Sequence, residues 1–107
     1  MHDPVNNMPK RKRMNRDQVK FILGRIVDQR LQNFRVLFRK NDGDIRYMKV
    51  SRMMSCDFVR DMVTVYDEEK EDIRRFKISS VYIIERNLEN PPLTLEQMKE
   101  IVSQVNE

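Results

Sequence analysis

From Phe34 to Val50 apolar and polar residues alternate, break at Asn41-Asp42-Gly43, and alternate again. Alternation of period two on both sides of an Asp-Gly pair predicts a β-hairpin. Its register follows from asking which partners share a face. A two-residue Asp42-Gly43 loop would set Phe38 beside Tyr47 and Val36 beside Lys49, mixing apolar with polar positions. A three-residue loop of Asn41, Asp42 and Gly43, with the glycine at positive φ, sets Val36 beside Met48 and Phe34 beside Val50. The second register gives one apolar face of Phe34, Val36, Phe38, Met48 and Val50, and it is the one expected.

Upstream the period changes. Val19, Ile22, Leu23, Ile26 and Val27 recur at helical spacing behind Asn15 and Gln18, which stand three apart as in a capping box, so a helix is predicted from about Arg16 to Arg30. Gly24 inside it costs about 1 kcal/mol relative to alanine, which either serves close packing against a strand or serves nothing. Downstream, residues 51–57 are expected as a connector. "VRDMVTVYD" and "IRRFKIS" then predict two strands around the acidic turn "DEEKED", and Val81 to Ile84 a fifth. Five short antiparallel strands joined by short connections predict a small SH3-like or Sm-like barrel, because closure limits exposed edges. After the proline-marked "RNLENPPL", Thr94 and Gln97 form a second capping box. Leu95, Met98, Ile101, Val102 and Val105 then make the stripe of a short helix, which either packs back on the fold or docks on a partner. The expectation is thus a mainly β, α+β chain: a disordered basic arm over 1–14, helix plus barrel over 15–86, a linker over 87–93, and an amphipathic helix over 94–107.

Charge alters this picture in one respect. The 107 residues carry a formal +4, and Lys10, Arg11, Lys12, Arg13 and Arg16 against Asp3 account for all of it. Residues 17–107 are therefore formally neutral, so the basic character belongs to a tail rather than to the whole fold. Cys56 is the sole cysteine, which excludes an intramolecular disulfide and a multi-cysteine zinc site and fits a reducing, cytoplasmic compartment. No apolar run approaches the roughly 20 residues needed to span a bilayer, so no membrane partner is expected. Nor are a cofactor, a metal or an enzymatic activity. One histidine near the N-terminus, no phosphate-cradling glycine loop and no nucleophile elbow leave catalysis without candidates, and "NDGD" lacks the flanking ligands and distal glutamate of a calcium loop.

The order of helix, "VLFRKNDGDIRYM", a variable segment, "VTVYDEEKEDIRRF" and "ISSVYIIE" resembles the small WYL-related Sm-like SH3 β-barrel family of bacteriophages and bacterial mobile DNA. The residues that carry the resemblance are Phe38, Lys40, Asp42, Gly43, Ile45, Arg46 and Met48, then Val65, Tyr66, Asp67, Arg74 and Phe76. It spans roughly Val19 to Glu85. It implies a barrel, a phage-like origin inside a bacterial host, and nucleic-acid binding by analogy.

Several constellations follow from strand parity. Arg46, Arg74 and Asp67 fall at core-facing positions near strand ends, where an ion-paired cluster is expected and an anion site formed by the two arginines is the alternative. On the opposite face Arg35, Arg39, Tyr47 and Lys49, continued by Arg75 and Lys77, form a candidate nucleic-acid surface on which a base would stack against Tyr47. The competing reading places Leu37 and Tyr47 under the N-terminal helix. Lys10 to Arg13 would add salt-sensitive affinity for phosphates. Met53, Met54, Leu95, Met98, Ile101 and Val102 are candidate contacts for a protein partner. The function expected is a non-enzymatic binding module for DNA or RNA with little sequence readout, or else a modulator of a host or phage machine.

Overall fold

The computed structural model describes residues 11–104. Asn15 starts the first helix, α1 (Arg16–Gln29), by reciprocal capping: its side-chain oxygen accepts the Gln18 N–H and the Gln18 side chain accepts the Asn15 N–H, both at 2.9 Å. The helix stops at Arg30, whose left-handed conformation turns the chain while its N–H and that of Leu31 satisfy the last carbonyls. Val19, Leu23 and Ile26 are its buried stripe. Gly24 has no atom within 4 Å of where a β-carbon would stand, so it serves no close approach.

Five strands follow: β1 (Gln32–Arg39), β2 (Ile45–Asp57), β3 (Met62–Asp67), β4 (Asp72–Lys77) and β5 (Val81–Glu85), with a 3-10 turn (Ile78–Ser80) before the last. They make one antiparallel sheet in the order β4-β3-β2-β1-β5. The hairpin has the three-residue register, with Phe34 opposite Val50 and Val36 opposite Met48, and Gly43 takes a φ of 94°. Both later turns use one device. Asp57 accepts the N–H groups of Val59 and Arg60, Asp67 accepts those of Glu69 and Lys70, and the residue four after each aspartate, Asp61 or Glu71, is left-handed.

Two expectations need correction. Residues 51–57 are not a connector but the second half of β2, which continues to Asp57 through irregularities near Val50/Arg52 and Met53/Ser55. Such bulges bend a strand and break its alternation, which is why the period-two signal fades there. The sheet also does not close into a barrel, since no ladder joins β4 to β5. Instead α1 packs over the sheet, and Val19, Leu23 and Ile26 share a core with Phe34, Val36, Phe38, Met48, Val50, Val63, Val65, Phe76, Ile78, Val81 and Ile84. Each large side chain buried there contributes roughly 1.5–3 kcal/mol.

The other face of β1 is buried as well, beneath the C-terminal segment rather than beneath α1. Helix α2 (Leu95–Ser103), opened by the Thr94–Gln97 capping box, packs Ile101, with Met98 and Val102, on a second cluster of Leu37, Tyr82, Ile83 and Leu93. A bulge in the β1–β5 ladder makes this cluster possible: Leu37 pairs with Ile83 but Phe38 pairs with Val81. Tyr82 is the extra residue, so it joins Ile83 on the α2 side. No helix of the described residues is long and apolar enough to cross a membrane.

Candidate nucleic-acid interface

The tip of the β1–β2 hairpin and strand β4 enclose an open cleft of about 460 Å³. Geometry puts cations there. Arg39 ends β1 and Lys40 enters the turn, Arg46 begins β2, and Arg74, Arg75 and Lys77 occupy successive parts of β4. Phe38 and Phe76 form the floor, stacked with ring centres 4.7 Å apart. They are 3% and 5% exposed, so they hold the cleft's shape and offer no ring to a base.

Counting partners separates these cations into two sets. Arg46 donates to Asp67 at 2.5 Å, Arg74 to Asp72 at 3.0 Å, and Lys40 lies 3.3 Å from Asp42. Asp42, in turn, has its carboxyl held below the usual range by the Asp44 N–H and then by Lys40. Among the described residues Arg39 makes only neutral contacts, with the Tyr82 hydroxyl at 2.8 Å and the Gly43 carbonyl at 2.6 Å. Arg75 and Lys77 are exposed and have no carboxylate partner among the described residues. Three positive charges at the cleft are therefore uncompensated, an arrangement that favours a polyanion.

The expected ion cluster is simpler than strand parity suggested. Asp67 is fully buried and among the described residues pairs with Arg46 alone, while Arg74 turns to Asp72 two residues earlier on its own strand. The expected basic face is largely absorbed into the fold. Arg35 is buried and donates to the carbonyls of Leu88 and Asn90, and Glu85 lies 4.0 Å away. The Tyr47 hydroxyl donates to the Glu85 carboxylate and accepts the Leu93 N–H at 3.2 Å, so its ring is not a stacking platform. Lys49 sits 3.5 Å from Glu68 on the surface. Of the expected face, Arg39, Arg75 and Lys77 remain available, and Lys40 joins them at the cleft from the turn.

Lys10 lies outside the described residues. Arg11, Lys12 and Arg13 are not a free arm: Arg11 pairs with the buried Glu85, and the Arg13 N–H donates to the Gln104 side chain at 2.8 Å. Lys12 between them is exposed. Among the candidate partner contacts, Met54 and Leu95 are exposed, Met53 packs against the main core, and Ile101 is 1% exposed and unreachable from outside. Glu85, Tyr82 and Gln104 were not singled out in the sequence, since nothing local marks a lone Glu, Tyr or Gln as the hub of contacts made by distant segments.

Burial, and then the neighbouring Asp57, push the Cys56 thiol up to about 11, so it stays protonated at neutral pH and is a poor nucleophile. Among the described residues no three His, Cys, Asp or Glu side chains are grouped as a metal site would need. Comparison with protein-family models, curated proteins and solved structures finds no match to this chain.

Proposed function

We propose that the protein is a non-enzymatic binding module that grips the sugar-phosphate backbone of nucleic acid in the cleft between the hairpin tip and β4. The observation that carries the reading is the set Arg39, Arg75 and Lys77, gathered at one cleft and left without carboxylate partners among the described residues. With no exposed ring lining the cleft, recognition rests on phosphates and carries little sequence information. The order of helix, hairpin, two further strands and a fifth supports an Sm-like, SH3-like arrangement in open form. With it goes the reading of a small phage or mobile-element protein acting inside a bacterial host.

The test is fluorescence anisotropy of a labelled DNA duplex across a salt series. Binding is expected to weaken linearly on a log–log plot, and the double variant Arg75→Glu/Lys77→Glu to lose roughly tenfold or more in affinity and to flatten the slope by about 0.9 for each lost phosphate contact. Salt-independent binding, or an unchanged double variant, removes the cleft from the function.

A second reading, a protein-binding modulator, draws on a separate observation. Val59 at the β2–β3 turn is 96% exposed, and Phe58, Met54 and Val27 are also exposed. A protein partner that survives nuclease treatment and is lost on Val59→Asp would favour that reading.

A further inference from the structure

We infer that the phosphate-binding surface does not end at the cleft but continues across Tyr82 to Arg13, forming one track on a rigid scaffold; this rests on the reading of the cleft as a nucleic-acid interface. Tyr82 is the bulged residue of β5, and bulges re-aim side chains. Its ring is 5% exposed and has two guanidinium groups around it. Arg39, a cleft residue, donates its Nε–H to the Tyr82 hydroxyl at 2.8 Å and lies 5.8 Å from the ring centre. Arg13, from the N-terminal segment, lies 4.7 Å from the same centre.

Two like charges held around one ring repel, and an anion bound between them offsets that repulsion. Neither has a carboxylate partner among the described residues: Arg13 Nη1 donates to the Gln104 carbonyl at 3.1 Å, and among the same residues its buried Nε has no hydrogen-bond partner. Their common ring keeps the two charges within roughly 10 Å, the span of about three nucleotides at about 3.4 Å of axis per nucleotide. The N-terminal segment is also held in place. The Met14 N–H donates to the Tyr82 carbonyl at 2.8 Å, and Gln104 bonds both Arg13 and, through its Nε2 at 3.2 Å, the Arg11 carbonyl. A cation already fixed loses little freedom on binding, so Arg13 contributes more than the same charge on a loose tail.

The experiment is the same duplex titration on the full chain, with Arg13→Ala, Arg39→Ala, the pair together, and Arg60→Ala as an exposed arginine on the β2–β3 turn that pairs with Asp57 and not with Tyr82. Arg13→Gln serves as a second variant, and thermal melts confirm that each chain folds. Arg13→Ala, Arg13→Gln and Arg39→Ala are each expected to weaken binding several-fold and to flatten the salt slope by about 0.9, while Arg60→Ala leaves both unchanged. The paired variant is expected to depart from additivity, because both side chains act through Tyr82. If the Arg13 variants bind like the parent while Arg75→Glu/Lys77→Glu weakens binding, the track is wrong and the cleft stands. An equal loss in Arg60→Ala also overturns the track, since binding would then follow overall charge. If Arg75→Glu/Lys77→Glu has no effect, the cleft and the track fall together.

Discussion

The sheet carries two basic sites of opposite fate. Arg35, with Tyr47 beside it, faces the C-terminal segment, where the carbonyls of Leu88 and Asn90 accept from both of its Nη groups and the buried Glu85 lies 4.0 Å away. Arg39, Arg75 and Lys77 stand at the cleft with only neutral partners or none among the described residues. Both groups read alike in the sequence. What separates them is where their hydrogen bonds go, and the consequence is that one group holds the fold while the other is free to hold a ligand.

The comparison breaks most visibly at Glu85. It is 6% exposed and gathers Arg11, Tyr47 and, at 4.0 Å, Arg35 from three separate segments. Glu85→Ala leaves these groups facing a site with no anion, and breaking a buried pair by removing one partner costs roughly 3 kcal/mol or more. Urea unfolding should show a midpoint shifted well down with the slope retained. A shift under about 0.5 kcal/mol, the range of an ordinary surface substitution, would mean that the network contributes nothing and the two groups are not distinct.

Arg35→Ala tests the same side with a smaller effect. Hydrogen bonds from a charged donor are worth about 1.5–3 kcal/mol each in net terms, but Arg35 shares two carbonyls among three contacts of 3.2–3.3 Å. Because two carbonyls are shared among three donors, a loss of about 2 kcal/mol in denaturant unfolding is expected, with duplex affinity within twofold of the parent. A large loss of affinity in a chain that still folds would return Arg35 to the binding surface and erase the contrast.

How far this contrast was readable in the sequence depends on the kind of partner involved. The hairpin register was readable, because one buried face and one glycine at positive φ admit a single alignment of Val36 with Met48. Asp67 at a core-facing position was readable from parity, and so was its need for Arg46. Arg74 was not, because the carboxylate nearest to it belongs to its own strand, two residues away. Arg35 was less readable still: its acceptors are backbone carbonyls, which every residue carries and no sequence pattern marks. The stripe on α2 disclosed an apolar face without saying what it meets, and the bulge that sends Tyr82 to that side leaves no local trace. The open sheet follows from α1 covering what strand closure would have covered, a choice made by long-range packing rather than by alternation.

Arg75 has the smallest expected effect on stability and is the sharpest test of the difference. It is exposed, on β4, with no ion pair among the described residues, and surface substitutions away from caps and networks usually change stability by less than about 0.5 kcal/mol. Arg75→Ala should therefore melt within a degree or two of the parent. Lys49 provides an internal standard, since its 3.5 Å contact with Glu68 is solvent-screened on both sides and worth about 0.2–1 kcal/mol. Arg75→Ala should be no more destabilising than Lys49→Ala, yet it should weaken duplex binding where Lys49→Ala does not. Equal binding losses in the two variants would make the cleft no different from any other exposed positive charge. Unequal losses at equal stability would assign the binding to where the cations lack internal partners, which net charge alone does not reveal.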